Sequence, residues 1–187
     1  QMFGTGLGFF TNINDPLTTV NVSQYGDYVF EWTEQNGNCI DSDTLIVSFY
    51  EMPVPNAGND MQTCGLSIFL NSVPSVGMGT WSLFAGPDTA IFTNESASNT
   101  LVTAGAYGSY SFLWTENNGG CSASDIVTVN FFEMPTPNAG ADANVCDTIH
   151  TFNAIPSVGT GVWSKVFGPG IATFSNVNDS NATVTVS

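Results

Sequence analysis

Phe30-Glu31-Trp32-Thr33-Glu34-Gln35-Asn36-Gly37-Asn38-Cys39 returns as Phe112-Leu113-Trp114-Thr115-Glu116-Asn117-Asn118-Gly119-Gly120-Cys121, an offset of 82 residues. Glu51-Met52-Pro53-Val54-Pro55-Asn56-Ala57-Gly58 returns at 133–140, and Gly79-Thr80-Trp81-Ser82 at 161–164, both at the same offset of 82. Cys39 with Cys121 and Cys64 with Cys146 obey it too, so no insertion disturbs the register. A fixed period of this length means one supersecondary unit used again, which decides the architecture before any local reading.

The Pro-x-Pro segments are the natural junctions, because proline holds the backbone extended and cannot donate to a sheet ladder. Cutting there leaves one complete repeat, residues 53–134, flanked by the C-terminal part of a preceding repeat, 1–52, and the N-terminal part of a following one, 135–187. The expectation is a stretch of a longer array.

Within the complete repeat the reading is strands and turns. Leu66 to Val73 is an apolar strand between Cys64-Gly65 and Pro74, and Gly79 to Phe84 carries Trp81 up to the turn at Gly86-Pro87-Asp88. Short runs follow at Ala90 to Thr93 and Thr100 to Thr103. Tyr110, Phe112 and Trp114 alternate with Ser111, Leu113 and Thr115, the period of a strand with one face in a core. Asn117-Asn118-Gly119-Gly120 supplies a hairpin turn, and Ile126 to Phe132 returns as the last strand. No segment has a helical period with caps. About seven short strands per period predict an all-β chain of tandem two-sheet sandwiches, arranged head to tail.

Charge narrows the function classes. Sixteen Asp and Glu stand against one basic residue, Lys165, and charged residues are 9 % of the chain, where globular proteins carry about 25 %. A single lysine cannot track phosphates, which excludes nucleic acid, and attraction to an anionic membrane surface is disfavoured for the same reason. With 42 % hydrophobic residues the chain can pack a core, so disorder is excluded. Asn, Ser, Thr and Gly then carry solubility, a composition typical of exported β proteins.

The pattern Gly108-x-Tyr110-x-Phe112-x-Trp114, followed by Asn-Gly-x-Cys and a Val-rich strand, resembles the Ig-like and PKD-like repeats of very large bacterial surface proteins. Pro-Asn-Ala-Gly-x-Asp-x-x-x-Cys, Pro-Ser-Val-Gly-x-Gly-x-Trp-Ser and Asn-Ala-Thr-Val-Thr-Val-Ser are similar to the tandem repeats of giant SprB-like adhesins of gliding bacteria, exported by the type IX secretion system. The PKD-type Trp-x-Phe-Gly-Asp-Gly segment is missing, Trp81 being followed by Ser82-Leu83-Phe84. The resemblance implies a non-enzymatic extracellular stalk or filament on a Gram-negative cell surface, serving gliding motility or attachment. The partners it implies are neighbouring repeats, outer-membrane secretion and anchoring machinery of the SprF-like kind, and surface polysaccharide. The competing class is a glycan-binding sandwich of a secreted protein.

Cys64, Trp81 and Cys121 follow the Cys, Trp, Cys order of an antibody domain. Phe112, however, takes the core place two residues after the tyrosine. Cys121 falls at the last hairpin and Cys64 at the turn after the first strand, at opposite ends of a sandwich and beyond the roughly 4.4–6.8 Å a disulfide spans. Pairing between neighbouring repeats is the expected alternative, with Cys64 reaching the Cys121 equivalent of the next repeat. Links of Cys39 to Cys64 and Cys121 to Cys146, or free thiols, stay open.

Other candidates are weighed against structural roles. His150 has no nucleophile partner and reads as a surface strand residue, and no acid–base pair recurs, so no catalysis and no obligate cofactor is expected. Asp41, Asp43, Asp60 and Asp142 offer hard oxygens for calcium, but Asp41 becomes Ala123 one period on, and Asp60 and Asp142 suit turns bonded to backbone amides. Trp32, Trp81, Trp114 and Trp163 read as core because they recur at strand positions. Asp43-Thr44-Leu45, Asp88-Thr89-Ala90 and Asp147-Thr148-Ile149 resemble the O-glycosylation signal of the same bacterial group, making Thr44, Thr89 and Thr148 candidate acceptors.

Overall fold

The structure, a computed structural model, describes residues 6–187, and no helix occurs among them. The strands are β1 (Gly8–Phe10), β2 (Val20–Val22), β3 (Gly26–Asn36) and β4 (Cys39–Phe49) in the first unit. β5 (Met61–Cys64), β6 (Ser67–Asn71), β7 (Met78–Ala85), β8 (Ala90–Phe92), β9 (Asn99–Ala104), β10 (Gly108–Asn118) and β11 (Cys121–Phe132) build the central one. β12 (Ile149–Thr151), β13 (Ala172–Phe174) and β14 (Thr183–Val186) belong to the third.

The central unit is a two-sheet sandwich. One sheet has the order β5-β11-β10-β7 and the other β6-β9-β8. All pairings are antiparallel except that of β5, which runs parallel to β11 with Met61 beside Val129 and Cys64 beside Phe132. This is an Ig-like layout in which the first strand has joined the sheet of the last one. The period-two pattern of β10 does what it predicts: Tyr110, Phe112 and Trp114 are buried and face Leu70, Val102 and Ala104 of the opposite sheet in one cluster with Trp81, Val127, Val129 and Phe131. Trp81 and Trp114 are register partners on β7 and β10, with ring centroids 5.1 Å apart. Tyr110 donates its hydroxyl to the Ala106 carbonyl at 3.1 Å and accepts from the Ala106 amide at 3.2 Å, a tyrosine corner pinning the chain where it enters β10.

The first unit copies this at the same offset, Tyr28 donating to the Gln24 carbonyl at 2.8 Å. Hairpins β3–β4 and β10–β11 each close over two residues, with Gly37 at φ 64° and Gly119 at φ 60° in the first turn position, where an L side chain is strained. The bridge Asn56–Val73 returns as Asn138–Ile155, and the bond from the Trp81 amide to the Glu95 carbonyl returns from Trp163 to Val177, both at 2.8 Å.

Two of the four tryptophans depart from the sequence expectation. Trp81 and Trp114 are each 1 % exposed, but Trp32 is 39 % exposed and Trp163 half-buried. Trp114 is covered by β7, and nothing corresponding to β7 lies against Trp32 among the described residues. Trp163 sits in the segment corresponding to β7, which forms no strand because no counterpart of β10 pairs with it among the described residues. It stacks instead on Phe152 at 4.1 Å.

Truncating Phe112 to Ala removes a fully buried ring from the middle of this core and should destabilise the central unit by about 3–5 kcal/mol. Ile126→Ala, on the outer face of β11, should stay within about 1 kcal/mol. Urea unfolding followed by tryptophan fluorescence compares the two.

Candidate functional site

The segment joining the first and central units is where chemistry-bearing side chains concentrate. It runs from Tyr50 through Pro53-Val54-Pro55, and the prolines cannot donate to a ladder, so side chains of the central unit hold it instead. Asn118, at the end of β10, donates its amide to the Glu51 carbonyl at 2.9 Å. The Cys121 thiol points at the Tyr50 carbonyl, 3.9 Å away. A Cβ on Gly119 would fall onto the Tyr50 ring, so glycine lets that ring close over the hairpin. Further on, the Val54 amide donates to Ser75 Oγ at 2.8 Å, Ala57 to Asp125 Oδ2 at 2.8 Å, and Val73 to the Asn56 carbonyl at 2.8 Å.

Glu116 anchors this arrangement. It is 1 % exposed, the fourth alternate residue of β10 after Tyr110, Phe112 and Trp114. Its carboxylate accepts from Trp114 Nε1 at 2.8 Å, from the Ser75 amide at 3.1 Å and from Ser75 Oγ. Burial pushes its pKa up, but the donors from Ser75, Trp114 and the Ser75 and Val76 amides outweigh burial and hold it below its ordinary value. Ser75 thus relays the junction at Val54 to the buried carboxylate. The flanking units keep the halves of this device: Trp32 Nε1 donates to Glu34 at 3.0 Å, and the Thr136 amide to Ser157 Oγ at 2.9 Å. The recurring Trp-x-Glu and Pro-Ser-Val segments were its sequence signal, although only the fold brings them together.

The calcium candidates are not gathered. Asp41 and Asp43 accept the amides of Ser42 and Thr44 at 2.9 and 2.8 Å, and Asp142 is exposed. Among the described residues no three His, Cys, Asp or Glu side chains form a metal-holding group. Asp60 does bond a backbone amide, that of Thr128 at 2.8 Å, but on the neighbouring strand and not in its own turn. The turn is made by Asn56, whose Oδ1 accepts from Gly58 at 2.8 Å, and by Asn138 with Gly140 at 2.9 Å. His150 lies on β12, but it is half-buried between exposed Ile149 and Thr151, its ring edge-on to Phe152, so it occupies the inward face of the strand and not the surface position expected from the sequence. Thr44, Thr89 and Thr148 are exposed, each following an aspartate that accepts its amide at 2.6–2.8 Å. Cys39, Cys64, Cys121 and Cys146 form no disulfide with one another. Cys121 opens β11 and Cys64 is the register partner of Phe132 at its far end, roughly 35 Å along the strand. A groove bordered by Pro137, Ile155, Ser157 and Trp163 crosses the third unit, at the positions that β10 covers in the central one.

No protein-family profile matches the sequence, and no curated protein matches it. Solved structures do. The PKD domain of the KIAA 1837 protein is 23 % identical with a TM-score of 0.40, over 46 % of this chain and 92 % of that one. The endo-fucoidan hydrolase MfFcnA4 of glycoside hydrolase family 107 is 15 % identical with a TM-score of 0.31, over 96 % of this chain and 32 % of that one. Domains 4–9 of surface layer protein SbsC are 12 % identical with a TM-score of 0.30, over 90 % of this chain and 32 % of that one. The chain therefore spans about a third of the length of the latter two.

The Glu116 clamp has a pH signature. A carboxyl whose folded pKa is depressed contributes stability that is fully present above its unfolded value, about 4.3, and is lost as pH falls through the folded value. The stability difference between the wild type and Glu116→Gln should therefore be constant near neutral pH and shrink below about pH 4. Urea midpoints measured from pH 7 to 3 check this.

Proposed function

We propose that the chain is a structural stretch of tandem Ig-like, PKD-like sandwiches in the extracellular stalk or filament of a large bacterial surface adhesin, serving gliding or attachment. Repeat-wise cores and restrained junctions are what a stalk needs, because each link then carries its own stability and passes orientation to the next. The observation behind this reading is the junction itself. Asn118, Gly119 and Cys121 of one unit close on Tyr50 and Glu51 of the unit before it, while Ser75 and Glu116 hold the proline segment from the other side.

The net charge of −15 fits this role, since like-charged links repel and stay soluble. Exposed Thr44, Thr89 and Thr148 are positioned for surface glycosylation, which intact mass would register. The glycan-binding alternative has less to stand on, because Trp81 and Trp114, its natural stacking platforms, are buried.

Antibodies raised against the folded chain should label intact cells of the source organism, and brief external proteolysis should remove the label. Deleting the parent gene should abolish surface spreading. Label that appears only after permeabilisation would overturn the reading.

A further inference from the structure

The junction geometry assigns partners to the cysteines. β5 runs parallel to β11 with Cys64 beside Phe132, and the Gly65 amide donates to the Phe132 carbonyl at 2.8 Å. A cysteine at the end of the first strand of a unit is therefore one strand spacing, about 4.8 Å, from the residue that ends its last strand. In the first unit the counterpart of Phe132, one period of 82 residues earlier, is Tyr50. Tyr50 is the residue whose carbonyl lies 3.9 Å from the Cys121 thiol. Two independent contacts, β5 on β11 within a unit and the hairpin on the junction between units, converge on one residue.

We propose that a disulfide crosses each junction, joining the first-strand cysteine of one unit to the last-hairpin cysteine of the next. Cys121 then pairs with the counterpart of Cys64 one period earlier, and Cys64 with the counterpart of Cys121 one period later. This rests on the array reading, since neither partner lies within these 187 residues. Asn118 and the Tyr50 ring fix the hairpin on the junction and so hold one thiol in place. Cys39 stands at the start of β4, a full strand length from the junction, and is excluded as a partner of Cys64; Cys121 and Cys146 are separated in the same way.

The oxidant is a disulfide-bearing one. One thiolate attacks it, forming a mixed disulfide and releasing one reduced thiol; the second thiolate displaces the other, closing the S–S bond. Two electrons and two protons pass to the oxidant, which leaves as two thiols.

The test lengthens the full chain at its C-terminus with a copy of residues 106–134, which the period places in register after Ser187. After equilibration with oxidised glutathione, non-reducing peptide mapping should link Cys64 to the cysteine of the added hairpin, and Cys64→Ser should leave that cysteine open to alkylation. The chain without the addition should keep four alkylatable thiols. A folded, lengthened chain in which Cys64 stays alkylatable, or a Cys64–Cys121 peptide in either chain, overturns the proposal. The array reading is followed separately through Trp163: its fluorescence should shift to the blue as the copied Trp114 covers it. A shift with Cys64 still free sinks the disulfide alone, and no shift sinks the array reading and the disulfide with it.

Discussion

Every second residue of β10 from Tyr110 to Glu116 is buried, and the central unit is arranged around that row. Tyr110 fixes the entry of the strand, Phe112 and Trp114 fill the space between the sheets, and Glu116 ends the row with a charge that the fold must neutralise by hydrogen bonds. An unpaired buried carboxylate would be costly, so Ser75 and its loop are drawn to it, and the proline junction follows through Val54. Core packing and the coupling between units are thus one continuous set of contacts. The flanking units act as controls. Among the described residues, the first has the row without a strand facing Trp32, which is left exposed; the third has the Trp163 segment without the row, and that segment is not a strand.

The acidic imbalance acquires a second meaning in this setting. Several carboxylates serve as acceptors for backbone amides and hydroxyls: Asp60 for Thr128, Asp125 for Ala57, Asp27 for Ser48, Glu116 for Ser75. They tie strands and junctions together where a lysine-rich protein would use ion pairs. The lone Lys165 caps the carbonyls of Pro169 and Gly170 and pairs with no carboxylate among the described residues. The remaining acids stay in solvent, where mutual repulsion protects the edges of short strands from pairing with other chains.

Much of the fold was legible in the residue order. The 82-residue period, the hairpin glycines, the alternation along β10 and the opposite placement of Cys64 and Cys121 follow from turn chemistry and side-chain periodicity, which are local. β5 was less legible, because a four-residue strand with Gln62 and Thr63 has no apolar alternation to mark it. β11 begins at Cys121, five residues before its apolar run, since the hairpin continues the ladder through polar Ser122 and Ser124. Asp60 was misplaced for a related reason: its acceptor role was foreseen, but its donor lies 68 residues away.

The sequence by itself determined the class of the protein. Its period, its strands, its buried aromatics and its lack of basic charge are written in residue order, because strand periodicity and turn conformations depend on near neighbours. Only the tertiary structure decided what the units do to one another. That Glu116 is a buried anchor and not another solvated acid, that Trp32 is exposed while Trp114 is not, and that Cys121 faces Tyr50 all depend on contacts between residues 41 to 71 positions apart or on a strand that must be present to cover a face. Burial and bonding at that separation are properties of the assembled sheets, and no local pattern encodes them.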